Sequence, residues 1–154
     1  MKILSKYLIL IGLLVSILAC SKKGSVAPVP DTTNPTITIT QPTAGQVFAV
    51  GNTITFQASF ADNDKLGSYS ITVTKVLTSG MILKNVLTPV AWSYSKSATN
   101  FTTGVKQQNI NLTDITIPLL IGTSPVLTGK YDFNVSCVDG SSNSASTTIE
   151  ININ

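Results

Sequence analysis

The chain has 154 residues, 43% hydrophobic and only 11% charged, with ten lysines against seven acids and neither arginine nor histidine. Without histidine there is no imidazole base or triad member, and the singly scattered lysines exclude the clustered basic surface that nucleic acid requires. The length suits one domain of ordinary size.

In chain order, Lys2 and Lys6 come first. A run from Tyr7 to Leu18 follows, apolar apart from Gly12 and Ser16. After Ala19-Cys20 the chain turns polar at Ser21-Lys22-Lys23-Gly24. A basic start, a short apolar run and a small residue at the break are the grammar of a secretory signal peptide. A dozen residues fall short of the roughly 20 needed to cross a bilayer as a helix. Ile17-Leu18-Ala19-Cys20 resembles the lipobox of bacterial lipoproteins, although Leu18 stands where a smaller residue is more usual. The resemblance implies cleavage before Cys20, a diacylglycerol on its sulfur and an acylated new N-terminus. Each buried acyl CH₂ contributes about 0.8 kcal/mol, and stable anchoring takes more than one chain. The membrane is then a partner through acyl chains on Cys20. The expected location is the outer membrane, lipid-anchored, on its periplasmic face or at the cell surface. Ser21-Lys22-Lys23 lacks the acids that often follow the cysteine in surface-exported lipoproteins, which favours the inward face.

Removing residues 1–19 as leader leaves 135 residues, with eight lysines and seven acids. Residues 20–34 read as a lipidated tether, rich in Ser, Pro, Thr and Lys and without an apolar period. Extended at about 3 Å per residue, it spans about 30–40 Å. Within it, Asp31-Thr32-Thr33 resembles a Bacteroidetes O-glycosylation site.

Residues 35–154 form the expected domain. Thr36–Thr40 alternates strictly, and Asn52–Phe60 places Ile54, Phe56, Ala58 and Phe60 on one face. Leu66–Val76 puts Tyr69, Ile71 and Val73 together. Met81–Thr88 and a strand starting at Val90–Tyr94 follow, separated by Pro89. Ser95–Gly104 is polar and weakly patterned and predicts an irregular, mobile stretch. Ile110–Leu112 and Ile115–Ile117 predict a further strand, and Gly122–Pro125 a turn. Lys130–Cys137 carries the cleanest alternation, with Tyr131, Phe133, Val135 and Cys137 inward, and Thr147–Ile153 is the last strand. No segment has a 3.6-residue period. Seven to eight short strands in about 120 residues predict an all-β chain folded as a β-sandwich. With Cys20 consumed by lipid, Cys137 has no partner for a disulfide, so stability rests on burial.

Gly129-x-Tyr131-x-Phe133-x-Val135-x-Cys137-x-Asp139-Gly140 resembles the sixth strand of an immunoglobulin-like bacterial domain. In such domains a Tyr near the strand start hydrogen-bonds back to the preceding corner. Phe133 stands where antibody domains put a cysteine, so the resemblance implies no inter-sheet disulfide. Three front segments, Pro35-x-Ile37 through Pro42-x-x-Gly45, Gly51 through Asn63, and Leu66-x-Ser68-Tyr69-x-Ile71, are similar to Bacteroidetes lipoproteins that carry the DUF4625 domain. That resemblance implies an immunoglobulin-like sandwich and an envelope location; the family is functionally unassigned, so it says nothing of activity. Val76–Asn109 departs from it: relatives carry histidines there and this chain has none.

The acids do not form a catalytic set, because no strand offers two inward carboxylates for glycoside hydrolysis. No enzyme is expected, and Cys137 reads as a buried structural thiol. The expected function is a single interaction or accessory module on a cell-envelope lipoprotein, meeting a protein or a glycan. The alternatives are a glycan-binding accessory lipoprotein of a nutrient-uptake system and a purely structural envelope spacer. No cofactor is expected, with one reservation for calcium. In an immunoglobulin-like topology the loops holding Asp62, Asp64 and Asp139 share one end, where Asp31 and Asn34 of the tether also enter. Calcium takes six to eight oxygens. Against that reading, Asp and Asn favour such loops because they bond the local backbone. Trp92 and Tyr94, two residues apart, are candidates for a sugar-stacking platform if exposed.

Overall fold

The computed structural model describes residues 28–77 and 88–154. Cys20, the leader and residues 81–87 of the expected Met81–Thr88 strand lie outside the described residues. Among the described residues ten strands appear in order: β1 (Thr36–Gln41), β2 (Val47–Phe48), β3 (Thr53–Ala61), β4 (Leu66–Lys75), β5 (Tyr94–Asn100), β6 (Gln107–Thr116), β7 (Leu120–Ile121), β8 (Ser124–Pro125), β9 (Gly129–Asp139) and β10 (Ser144–Ile153). Among the described residues no helix is long and apolar enough to cross a membrane.

Period-two burial explains the long strands, because successive side chains leave a strand on opposite faces. In β3, Ile54, Phe56, Ala58 and Phe60 are buried while Thr53 and Thr55 are exposed. In β9, Tyr131, Phe133, Val135, Cys137 and then Asp139 are buried in alternation. Two sheets result, β1-β3-β6 and β2-β10-β9-β4-β5, with a small β7-β8 hairpin beside them. Neighbours pair antiparallel, except that β2 lies parallel to the end of β10. The first two strands therefore divide between the sheets: β1 pairs β3, and β2 crosses to β10. This is a two-sheet sandwich, as the alternation predicts, and it is immunoglobulin-like, as the resemblance implies.

The core fills the space between the sheets. Phe56 of β3 stacks on Phe133 of β9 with centroids 5.6 Å apart. This contact joins the two sheets where an antibody domain places its disulfide, and such a pair contributes about 0.5–1.5 kcal/mol beyond area burial. The Tyr131 hydroxyl donates to the Leu127 carbonyl four residues back. It also accepts from the Trp92 backbone N–H at 3.4 Å. The corner bond implied by the resemblance is present.

Three features depart from the sequence reading. Residues 95–100, expected to be irregular and mobile, form with Tyr94 the edge strand β5 against β4, while Val90, the expected start of a strand, makes only an isolated bridge to Val126. Its side chains are mostly polar, so the strand is made by backbone pairing rather than by an apolar face. Lys96, opposite Ile71, reaches across to Asp114 of the other sheet at 3.6 Å. A lysine turned inward at an edge discourages further strand addition. The two-residue β2 and the β7-β8 hairpin are too short to show any period.

Candidate cation site

Two loops and the segment ahead of β1 meet beyond the last residue of β9. The turn after β3 begins at Asp62, whose Oδ1 accepts the backbone N–H groups of Asp64 and Lys65, both at 2.9 Å. The turn after β9 begins at Asp139. Its Oδ1 accepts the N–H groups of Ser141 and Asn143 at 2.8 Å, and its Oδ2 accepts the Asn143 amide at 2.7 Å. In the tether, Asp31 Oδ1 accepts the Thr33 N–H and the Asn63 side-chain amide, each at 3.0 Å. Asn143 closes the set by donating to the Asp31 carbonyl at 3.1 Å. Each aspartate thus spends an oxygen on shaping its own loop, the usual reason for Asp at such positions.

The second consequence is less usual. One carboxylate oxygen each from Asp31, Asp62 and Asp139 lies within 4.8 Å of the others. Asp139 is 4% exposed, and Asp31 and Asp62 are half-buried. The Oδ2 atoms of Asp31 and Asp62 are buried and receive no hydrogen bond. Among the described residues none of these three carboxylates has a lysine partner. Lys65 pairs with Asp64 at 3.2 Å, and Lys106 donates to the Asn63 carbonyl at 2.6 Å. The Thr33 backbone N–H, then the Asn63 amide, holds the Asp31 carboxyl below the usual carboxylate range.

The expected set of Asp62, Asp64 and Asp139 is therefore corrected at one position. Asp64 faces outward beside Lys65, because the bonds to Asp62 Oδ1 curl the loop and turn residue 64 away. Asp31 takes its place. The folded body grips the chain from Asp31, four residues ahead of the expected domain start, whereas Asn34 is exposed. The sequence signal was present in weak form: Asp31-Thr-Thr, Asp62-Asn-Asp and Asp139-Gly-Ser each set an aspartate two residues before a backbone donor.

Backbone packing fixes the same end. A Cβ on Gly67 would lie 2.6 Å from the Asp139 carbonyl oxygen, so the start of β4 approaches Asp139 only as glycine. Cys137, two residues before Asp139, is fully buried. Burial, then the charges of Asp62 and Asp139, pushes its thiol up to about 11. That is the inert thiol the sequence suggests.

Trp92 and Tyr94 form no exposed platform. Trp92 is 6% exposed and packs on Tyr131 at 6.1 Å, inside the corner. Tyr94 is half-buried at the sheet edge, and burial, then Asp114, raises its hydroxyl above the ordinary range. A different surface is concave. A depression of about 430 Å³ on the β1-β3-β6 sheet is lined by the polar residues Thr40, Gln57, Ser59, Asn109 and Asn111 together with Ala58 and Ile110.

Strand order and corner define an all-β immunoglobulin-like domain with an acidic, loop-built end. The chain belongs to the DUF4625 family, a domain of unknown function, which matches residues 18–154. No curated protein matches the sequence. Among solved structures the chain is similar to a β-glucosidase from Listeria innocua. A mutant in complex with laminaribiose matches at 11% identity and a TM-score of 0.39. The complexes with glucose and isofagomine match at 12% identity, with TM-scores of 0.39 and 0.38. Each match covers 78% of this chain and 16% of that one.

Proposed function

We propose that the protein is a bacterial cell-envelope lipoprotein of the outer membrane that presents one non-catalytic interaction module. The observation that carries this reading is the leader ending in Ile17-Leu18-Ala19-Cys20, followed by a short tether and a single domain. Acyl chains on Cys20 hold the chain at the membrane, and the sandwich meets a partner in solution or on a neighbouring surface. The absence of histidine and the use of the aspartates in holding loops support binding over reaction. Metabolic labelling with an alkyne fatty acid, with detergent phase partitioning, tests the anchor. The wild type incorporates label and enters the detergent phase, and Cys20→Ala does neither. An unlabelled wild type that keeps its leader overturns the reading.

A second reading, a glycan-binding accessory lipoprotein of a nutrient-uptake system, is favoured by the polar depression rather than by Trp92 and Tyr94. Its amide and hydroxyl groups both donate and accept, as neutral polyhydroxylated chains require. Affinity electrophoresis against a polysaccharide panel decides it. Retardation that disappears in an Asn109→Ala, Asn111→Ala double variant supports the reading, and no retardation with any glycan removes it.

A further inference from the structure

We propose that Asp31, Asp62 and Asp139 bind one calcium ion that clamps the tether to two loops of the domain. The cluster alone would not carry this, because aspartates commonly shape loops. The orphaned oxygens do. Asp31 Oδ2 and Asp62 Oδ2 each expose less than 1 Å² and accept no hydrogen bond. They belong to carboxylates grouped with Asp139, itself 4% exposed. A buried carboxylate oxygen without a donor is costly, and gathering three like charges adds repulsion. Among the described residues the nearby ammonium groups do not answer that charge, since Lys65 and Lys106 are engaged at Asp64 and at the Asn63 carbonyl. A cation resolves both problems together.

The chemistry selects a hard divalent ion, because every side-chain ligand is an oxygen. Two oxygens on one calcium, at 2.3–2.6 Å from it, lie up to about 5 Å apart. The carboxylate oxygens here fall within 4.8 Å of one another, so a shift of a few tenths of an ångström brings all three to calcium. Backbone oxygens or water complete its flexible shell of six to eight. Magnesium holds its waters more firmly and demands near-ideal octahedral geometry, which three carboxylates committed to their own turns do not supply.

The consequence is directional. Asp31 lies ahead of β1 near the N-terminal end of the described chain, Asp62 just after β3, and Asp139 at the end of β9. An ion shared by all three fixes how the domain leaves its tether. This inference does not depend on lipidation of Cys20, and its test leaves the anchor untouched.

Equilibrium dialysis of the full chain in detergent with calcium-45 should show one ion per chain. Thermal melts should show a Tm at least about 5 °C higher in 1 mM calcium than in chelator. Asp62→Asn keeps an Oδ1 for the Asp64 and Lys65 N–H groups and removes the charge. Its affinity should fall at least about tenfold, because ligand charge sets calcium affinity. In chelator its Tm should exceed the wild type's, since one of three repelling charges is gone. In calcium the order should reverse. A purely loop-shaping aspartate gives no such crossing. Asp64→Asn should bind as the wild type does. Substoichiometric binding by the wild type at 1 mM overturns the proposal without recourse to any variant. So does an Asp62→Asn chain that binds normally, or a magnesium response equal to that of calcium.

Discussion

Strand β9 ends in two different ways, and the contrast explains how this domain is closed. At its start, Tyr131 and Phe133 build an aromatic corner. A hydroxyl reaches Leu127, Trp92 covers the ring, and Phe56 stacks across the sheets. At its other end, Asp139 anchors a loop by three hydrogen bonds and faces Asp31 and Asp62. Apolar closure is non-directional and gathers no like charges; the Lys75 ammonium there lies over the Tyr131 ring at 5.2 Å. Carboxylate closure is directional and accumulates charge that something must balance. The aromatic end therefore stabilises the fold under any ionic condition, and the acidic end makes stability depend on what is dissolved around it.

The largest expected effect lies at the aromatic end. Phe133→Ala removes the inter-sheet stack and leaves a cavity, at a cost of about 3–5 kcal/mol. Urea denaturation should show that loss equally in calcium and in chelator. A loss below about 1 kcal/mol would mean the sheets are held together elsewhere. Next comes the acidic end: Gly67→Ala drives a methyl into the Asp139 backbone, costing about 1–3 kcal/mol. The same urea series should show its midpoint shift, and heteronuclear NMR should show shifts concentrated around residues 139–143. Tyr131→Phe keeps the ring and loses the bonds to Leu127 and Trp92, for about 1–2 kcal/mol. If that change is silent, the corner is held by ring packing alone.

The last effect, silent below about pH 9, is a pH dependence at Cys137. Its thiol sits at about 11 against an ordinary 9.0. A group raised on folding contributes stability that is whole below the unfolded value and lost as pH rises toward the folded one. The wild type should therefore lose stability between about pH 9 and 11 relative to Cys137→Ala, and parallel pH profiles of the two urea midpoints would contradict this. Folded protein at pH 8 should also react with a thiol reagent only as fast as it opens.

How much of this was legible in the sequence differs between the ends. The aromatic end was visible, because Tyr131, Phe133 and Val135 lie on one face by local alternation and Phe133 marks the missing cysteine. The acidic end was half visible. Asp62 and Asp139 follow from loops that share an end of the sandwich, and Asp31 from the segment that enters there, but nothing in the sequence says that Asp31 rather than Asp64 completes the set. Asp64, adjacent in sequence, is turned out by hydrogen bonds that no spacing reveals. β5 was hidden for a related reason: Tyr94–Asn100 becomes a strand because β4 offers unpaired backbone groups, not because its own side chains alternate.

What the sequence determines by itself is what has a local cause: the inward faces of β3, β4, β9 and β10, and hence an all-β sandwich. Side-chain direction along a strand is fixed by the strand, so the pattern carries it. Only the tertiary structure decides which distant groups meet: Phe56 with Phe133, Lys96 with Asp114, and Asp31 with Asp62 and Asp139. Those meetings are set by how two sheets pack and where their loops end, and neither is written in any single stretch of chain.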